Sequence, residues 1–336
     1  MARFLVAPDS FKGTFDAATV AEALAAGIEG AGSEADRCPV ADGGEGTMEV
    51  LLGALGGERR AAQVHDPLRR PIEAEFGLLG DGETAIVETA QASGLSLVAP
   101  EDRDAERADT FGTGELIAAA IAAGARKVLL AVGGSATTDG GRGAIEALRQ
   151  SDAAFVFCTP GEVQKTNAEV RIEVLCDVRT PYEEAARVFA PQKGADSAAV
   201  ERLTDRLAHL AAELPRDPRG MPMTGCAGGL SGGLWAHGAE LRPGADFVLD
   251  ALDFDSRLAR ADAVVSGEGR FDSQSLEGKI VGTIAARCAA AGKPLHLVVG
   301  EDTFVSDAPV AICSIQEAGD PTEMEWRGEN LARSSL

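Results

Sequence analysis

The sequence predicts an α/β protein of two domains, and three observations carry that reading. Short β-rich apolar runs recur along the chain. Ala-rich stretches of helical spacing lie between several of them, and glycines gather with carboxylates just behind the runs. Strand, loop and helix in alternation imply a parallel or mixed sheet. At 336 residues the chain exceeds the usual single-domain size.

The strands are expected near 3–7, 84–89, 127–132, 171–176, 263–266, 295–299 and 310–314. In the first helix, Val20, Leu24 and Ile28 repeat at i, i+4, i+8, with Asp16 as N-cap. Both ends of the chain share this style. The middle holds longer irregular segments at 65–82, 96–111, 151–170 and 178–196. The expectation is therefore a discontinuous Rossmann-like domain (1–64 plus 258–336) with a mixed α/β domain inserted in it (65–257), and an active site in the cleft between them. The tail after Gly319 is polar and reads as loosely held.

Composition narrows the function. Hydrophobic residues make up 45% and aromatics only 4%, which suits helix–sheet layers better than an aromatic-rich sandwich. With 53 acidic residues against 31 basic, the net charge of −22 argues against nucleic acid or an anionic membrane as partner. The six cysteines are scattered, with no C-x-x-C, as in a reducing compartment. The N-terminal apolar run is broken by Pro8 and Asp9, and the apolar stretch 116–125 is too short to span a bilayer, so a cytoplasmic protein is expected.

Six loops carry the chemistry. In APDSFKG (7–13), Asp9 and Ser10 follow a strand, and Lys12 stands before a helix start where backbone N–H groups favour an anion. In PVADGGEGT (39–47), Asp42 and Glu45 flank paired glycines and suit Mg²⁺ or a substrate hydroxyl, or else an Asx turn and a helix cap. KVLLAVGGSATTDGGRG (127–143) runs from a strand into five glycines; Gly133, Gly134, Ser135 and Thr137 can cradle phosphate by close backbone approach and hydroxyl donation. Asp177 ends a strand as either a general base or a cap, and Lys193 sits beside Gly194 as an anion contact. CAGGLSGGLWAHG (226–238) reads equally as close helix packing or ligand contact, with His237 structural. ADAVVSGEGRFDSQSLEGK (261–279) offers Glu268 and Asp272 for Mg²⁺ or a hydroxyl proton, and Lys279 for a phosphate.

Together these loops supply metal-binding acids, cations, a base and backbone donors, which is what phosphoryl transfer requires. There is no P-loop signature, no protein-kinase set, no G-x-S-x-G and no nicotinamide fingerprint after the first strand.

At the same loops the chain resembles the bacterial glycerate kinase family. The resemblance rests on APDSFKG, ADGGEGT (41–47), ETAQASGL (88–95), FGTGELI (111–117), GGSATTDGG (133–141), CDV (176–178), PQKGA (191–195), GLSGGL (229–234) and SGEGRFDSQSLEGK (266–279), in family order. It implies two α/β domains and phosphorylation of D-glycerate with ATP and Mg²⁺, more to 2-phosphoglycerate than to 3-phosphoglycerate, by a monomer or homodimer. A sugar-acid or nucleotide sensor, or a kinase for a related hydroxy acid, are the alternatives. Chemistry at the matched positions assigns Lys12, Lys193 and Lys279 to the glycerate carboxylate and nucleotide phosphates. It assigns Asp42, Glu45 and Glu268 to Mg²⁺, and Asp177 or Asp272 to the hydroxyl proton. The chain departs from the family at Thr138 and Thr180, where Asn is usual, and between Gly143 and Ala190, where it is shortened.

Overall fold

The computed structural model describes residues 1–11, 13–151, 170–276, 279–304 and 312–334. Lys12, Cys158 and the start of the strand expected at 310–314 lie outside them. The chain divides into two compact units, Met1–Asp42 with Ala245–Leu336, and Gly43–Gly244. The expected boundaries at 64 and 257 shift for a physical reason. Gly57–His65 pairs antiparallel with Pro71–Leu79 along its whole length, which binds it to the second unit. At the other end Arg287 ties Asp246, Asp250 and Asp255 into the first.

The first unit is built on a five-stranded parallel sheet. Its order is Ile312–Glu317, Leu295–Val299, Ala263–Gly267, Arg3–Pro8, Glu34–Arg37. Phe4 to Ala7 are wholly buried, as expected of a parallel strand covered on both faces. Helix Ala17–Gly30 starts where Asp16 accepts the Thr19 N–H at 2.7 Å, and Val20, Leu24 and Ile28 face the core. The polar tail is a correction: Pro321–Ser334 is a helix packed on that first helix. Their backbones nearly touch, because a Cβ at Gly27 would lie 1.8 Å from the Glu325 carbonyl oxygen and one at Gly328 would lie 2.3 Å from that of Leu24.

The second unit holds a six-stranded mixed sheet in the order Gly57–His65, Pro71–Leu79, Thr84–Glu88, Lys127–Ala131, Arg171–Cys176, Glu240–Pro243. The first two pairings are antiparallel and the last three parallel. The glycines of 226–238 prove to be packing glycines. Ala227, Gly228 and Gly229 adopt left-handed backbone inside the helix Cys226–Ala236. A Cβ at Gly228 would stand 2.0 Å from the Thr137 carbonyl oxygen, and one at Gly233 2.2 Å from that of Gly140. The two Gly-rich loops therefore interlock through bare backbone. His237 is structural as expected: its Nδ1 lies 3.0 Å from the Gly233 carbonyl oxygen, and Arg149 Nη2 lies 3.2 Å from its Nε2. Among the described residues no helix is long and apolar enough to cross a membrane.

Candidate active site

In the first unit, every strand of the parallel sheet except Glu34–Arg37 delivers its carboxyl end directly to one cavity of about 480 Å³. Open α/β sheets bind ligands at this edge. The lining includes Asp9, Asp42, Glu268, Asp272, Arg270 and Lys279. Asp9 follows Pro8, and its N–H donates to the Gly267 carbonyl at 2.8 Å, which pins the loop to the neighbouring strand. Gly267 is required there, since a Cβ would strike the Val298 carbonyl oxygen at 1.8 Å. Glu268, one residue on, accepts the Gly300 N–H on its own carbonyl at 3.1 Å. Burial pushes the Glu268 carboxyl up to about 7; Ser275 and Lys279 oppose that shift, and Asp42 and Asp272 add to it. Its Oε1 is enclosed with no hydrogen-bond partner among the described residues.

Hard oxygen ligands with an unsatisfied, enclosed carboxylate oxygen are what a divalent cation fits. Among the described residues no three acidic, His or Cys side chains form a ready-made metal cluster. Mg²⁺ in kinases usually takes one or two carboxylates, with phosphates and waters completing its shell.

In the second unit the parallel strands again end on chemistry. Thr84–Glu88 ends on Glu88, Lys127–Ala131 runs on to Gly133, and Arg171–Cys176 delivers Asp177. The loop 133–139 is tied by hydrogen bonds on both sides. The Leu95 N–H donates to Gly134 at 2.8 Å, and the Ala136 N–H donates to Ser93 at 2.9 Å. Asp139 anchors the far end, accepting from Thr110 N, Thr110 Oγ1, Gly143 N and Gly141 N at 2.8–3.2 Å.

Lys193 is the centre of this arrangement. It is only 3% exposed, and its Nζ donates to Ser135 Oγ at 3.1 Å and to the Thr137 carbonyl at 2.6 Å. Burial lowers its ammonium to about 8, against the pull of Asp139 and Asp177. Thr137 is wholly enclosed, with its hydroxyl directed to the Ala227 carbonyl at 3.5 Å, so it serves the loop. A Cβ at Gly133 would lie 3.6 Å from Asp177 Oδ2, and one at Gly134 would lie 3.2 Å from Glu45 Oε2.

The residues singled out in the sequence thus fall into two sets. Asp9, Ser10, Asp42, Glu268, Asp272 and Lys279 line the first unit's cavity. Glu45, Gly133, Gly134, Ser135, Thr137, Asp177 and Lys193 belong to the second unit. Three groups escaped sequence reasoning. Glu88 is buried, accepts the Met48 N–H at 2.8 Å, and has its carboxyl raised by burial and by nearby Glu45. Its position at a strand end, opening ETAQASGL, was the available signal. Asp139 lies within the Gly-rich stretch 127–143 and anchors it. Arg270 and Glu301 line the cavity as strand-end neighbours.

Two α/β units whose parallel strand ends carry acids, lysines and Gly loops present the edges at which such sheets bind ligands. The family model for the glycerate kinase family matches residues 4–311. Glycerate kinase of Bacillus subtilis is 39% identical over 91% of this chain and 87% of its own length. Glycerate 2-kinase of Escherichia coli is 37% identical over 99% and 96%. A solved structure of a candidate glycerate kinase 2 from Salmonella typhimurium superposes with a TM-score of 0.80 at 33% identity, covering 99% of this chain and 98% of that one. The chain belongs to the glycerate kinase family and is a kinase.

Proposed function

We propose that the chain transfers the γ-phosphoryl group of ATP to D-glycerate, with Mg²⁺, to give 2-phosphoglycerate. The observation that carries this reading is the enclosed Lys193, hydrogen-bonded to the Gly-rich, hydroxyl-bearing loop 133–139 and within electrostatic reach of Asp177. The 2-position rests on likeness to a relative named glycerate 2-kinase.

Asp177 accepts the hydroxyl proton as the glycerate oxygen bonds to the γ-phosphorus and the bridging bond to ADP breaks. Lys12 and Lys279 meet the nucleotide phosphates. Asp9 and Ser10 shape the turn that leaves the first strand: the Ser10 N–H donates to Asp9 Oδ1 at 2.6 Å. Asp42 and Glu268 would hold Mg²⁺, which supplies charge neutralisation for the phosphates. Glu45, beside Gly134, then serves the acceptor's hydroxyls rather than the metal.

A coupled ADP-release assay with D-glycerate and Mg·ATP tests the reading, and ³¹P NMR of the product tests the position. Turnover with a 2-phosphoglycerate signal is expected. No ADP release above background would refute the activity, and a 3-phosphoglycerate product would refute the regiochemistry.

A further inference from the structure

Three consecutive loop residues each stand beside one charged group: Gly133 by Asp177, Gly134 by Glu45 and Ser135 by Lys193. The hydrogen-bond direction at the third is forced. A lysine ammonium has three protons and no lone pair. Two of the Lys193 protons go to Ser135 Oγ and the Thr137 carbonyl. Because Ser135 Oγ receives that bond, its own proton points elsewhere. Among the described residues neither this hydroxyl proton nor the third ammonium proton meets an acceptor. Both groups are enclosed, Ser135 at 8% exposure and Lys193 at 3%. Two enclosed donors 3.1 Å apart, each with a proton left to give, match a pair of anionic oxygens.

The neighbours decide which anion. Asp177 and Glu45 flank the preceding glycines and offer acceptors, and Asp139 lies within electrostatic reach of Lys193. A polyphosphate brings several negative charges toward these carboxylates and gives them no proton to accept. A short hydroxy acid satisfies both sides, its carboxylate taking the two donors and its hydroxyls donating to the two acceptors.

We infer that Ser135 and Lys193 bind the carboxylate of the acceptor, with Glu45 and Asp177 receiving its hydroxyls, so that the loop 133–135 selects a short hydroxy acid. The inference rests on the proposed kinase reading. It makes Ser135 a specificity residue for the acceptor rather than a phosphate contact.

The test is Ser135→Ala, which removes one oxygen. The KM for D-glycerate should rise about 10- to 100-fold, the effect of losing a hydrogen bond to a charged group. Fluorescent N-methylanthraniloyl-ADP should bind as to wild type, and the melting temperature should hold. Ser135→Thr, which keeps the hydroxyl, should restore most of the glycerate affinity. An unchanged glycerate KM, or weakened nucleotide binding with glycerate untouched, would overturn the inference. Calorimetric titration of D-glycerate onto nucleotide-free protein separates this outcome from failure of the kinase reading. Wild type binding glycerate without ADP release would count against the reading alone. Equal binding to wild type and Ser135→Ala would count against the inference.

Discussion

The two strand-edge sites obey the same topological rule and both gather carboxylates, but the enclosed group at the centre is a carboxyl in the first and an ammonium in the second. In the first unit, carboxylates dominate: Asp9, Asp42, Glu268 and Asp272 line one cavity, and burial and the neighbouring acids push the Glu268 carboxyl up to about 7. In the second, one enclosed ammonium is the focus, and burial holds it down at about 8. A cavity rich in acids welcomes a cation and whatever that cation carries. A buried lysine with unused donors welcomes a bare anion. Edge position alone therefore does not say what a loop binds; the charge and the hydrogen-bond direction of the side chains do.

The largest effect should come from Lys193. Lys193→Met should lower kcat/KM for D-glycerate by about 10³-fold, within the range for deleting one partner of a buried charge pair. If the loss appears instead in the nucleotide KM, the two sites have been assigned the wrong way round. Asp177→Asn should then cost about 10²-fold in kcat, as for a general base, with Asp272→Asn costing less. A larger loss in Asp272→Asn would move the base to the first unit.

The pH profile sharpens the contrast further. Lys193 has a lowered folded pKa, so it is charged below about 8 and neutral above. Glycerate kcat/KM should fall about tenfold per unit above that pH, while nucleotide affinity stays level. Lys193→Arg should carry the activity to higher pH, because guanidinium does not deprotonate there. A profile unchanged in that variant would assign the alkaline limb to another group.

The smallest effect concerns the first unit. Glu268→Gln removes a buried charge whose Oε1 has no partner among the described residues and whose neighbours include Asp42 and Asp272. The metal-free protein should melt a few degrees higher. The same variant should need more Mg²⁺ for nucleotide binding. A lower melting temperature would show that Ser275 and Lys279 outweigh the cost of burying the charge.

Much of this was readable in the chain itself. The parallel strands stood out because residues such as Phe4 to Val6 and Val128 to Ala131 are buried on both faces and so read as unbroken apolar runs. Their loops stood out because glycine and acid follow them at once. The strand Gly57–His65 did not, because nearly all of it is exposed and its Arg and Glu residues show no apolar alternation. The last helix looked like a loose tail for a related reason. Part of its hold on Ala17–Gly30 is backbone approach at Gly27 and Gly328, which leaves no hydrophobic signature.

At the site, residue types were legible but their duties were not. Thr137 and Ser135 look alike in sequence. The structure turns the Thr137 hydroxyl to the Ala227 carbonyl, whereas the direction of the Lys193 bond leaves the Ser135 hydroxyl to donate. Asp139 carries no assignment in the sequence, and its four donors show that it anchors the loop.

The most direct test of the central claim is ADP release with Mg·ATP and either D-glycerate or glycerol as acceptor. The two acceptors share hydroxyls and differ in the carboxylate that Ser135 and Lys193 are assigned to hold. Turnover is expected with D-glycerate, and little or none with glycerol at the same concentration. Equal rates with both acceptors, or turnover with neither, would contradict that claim.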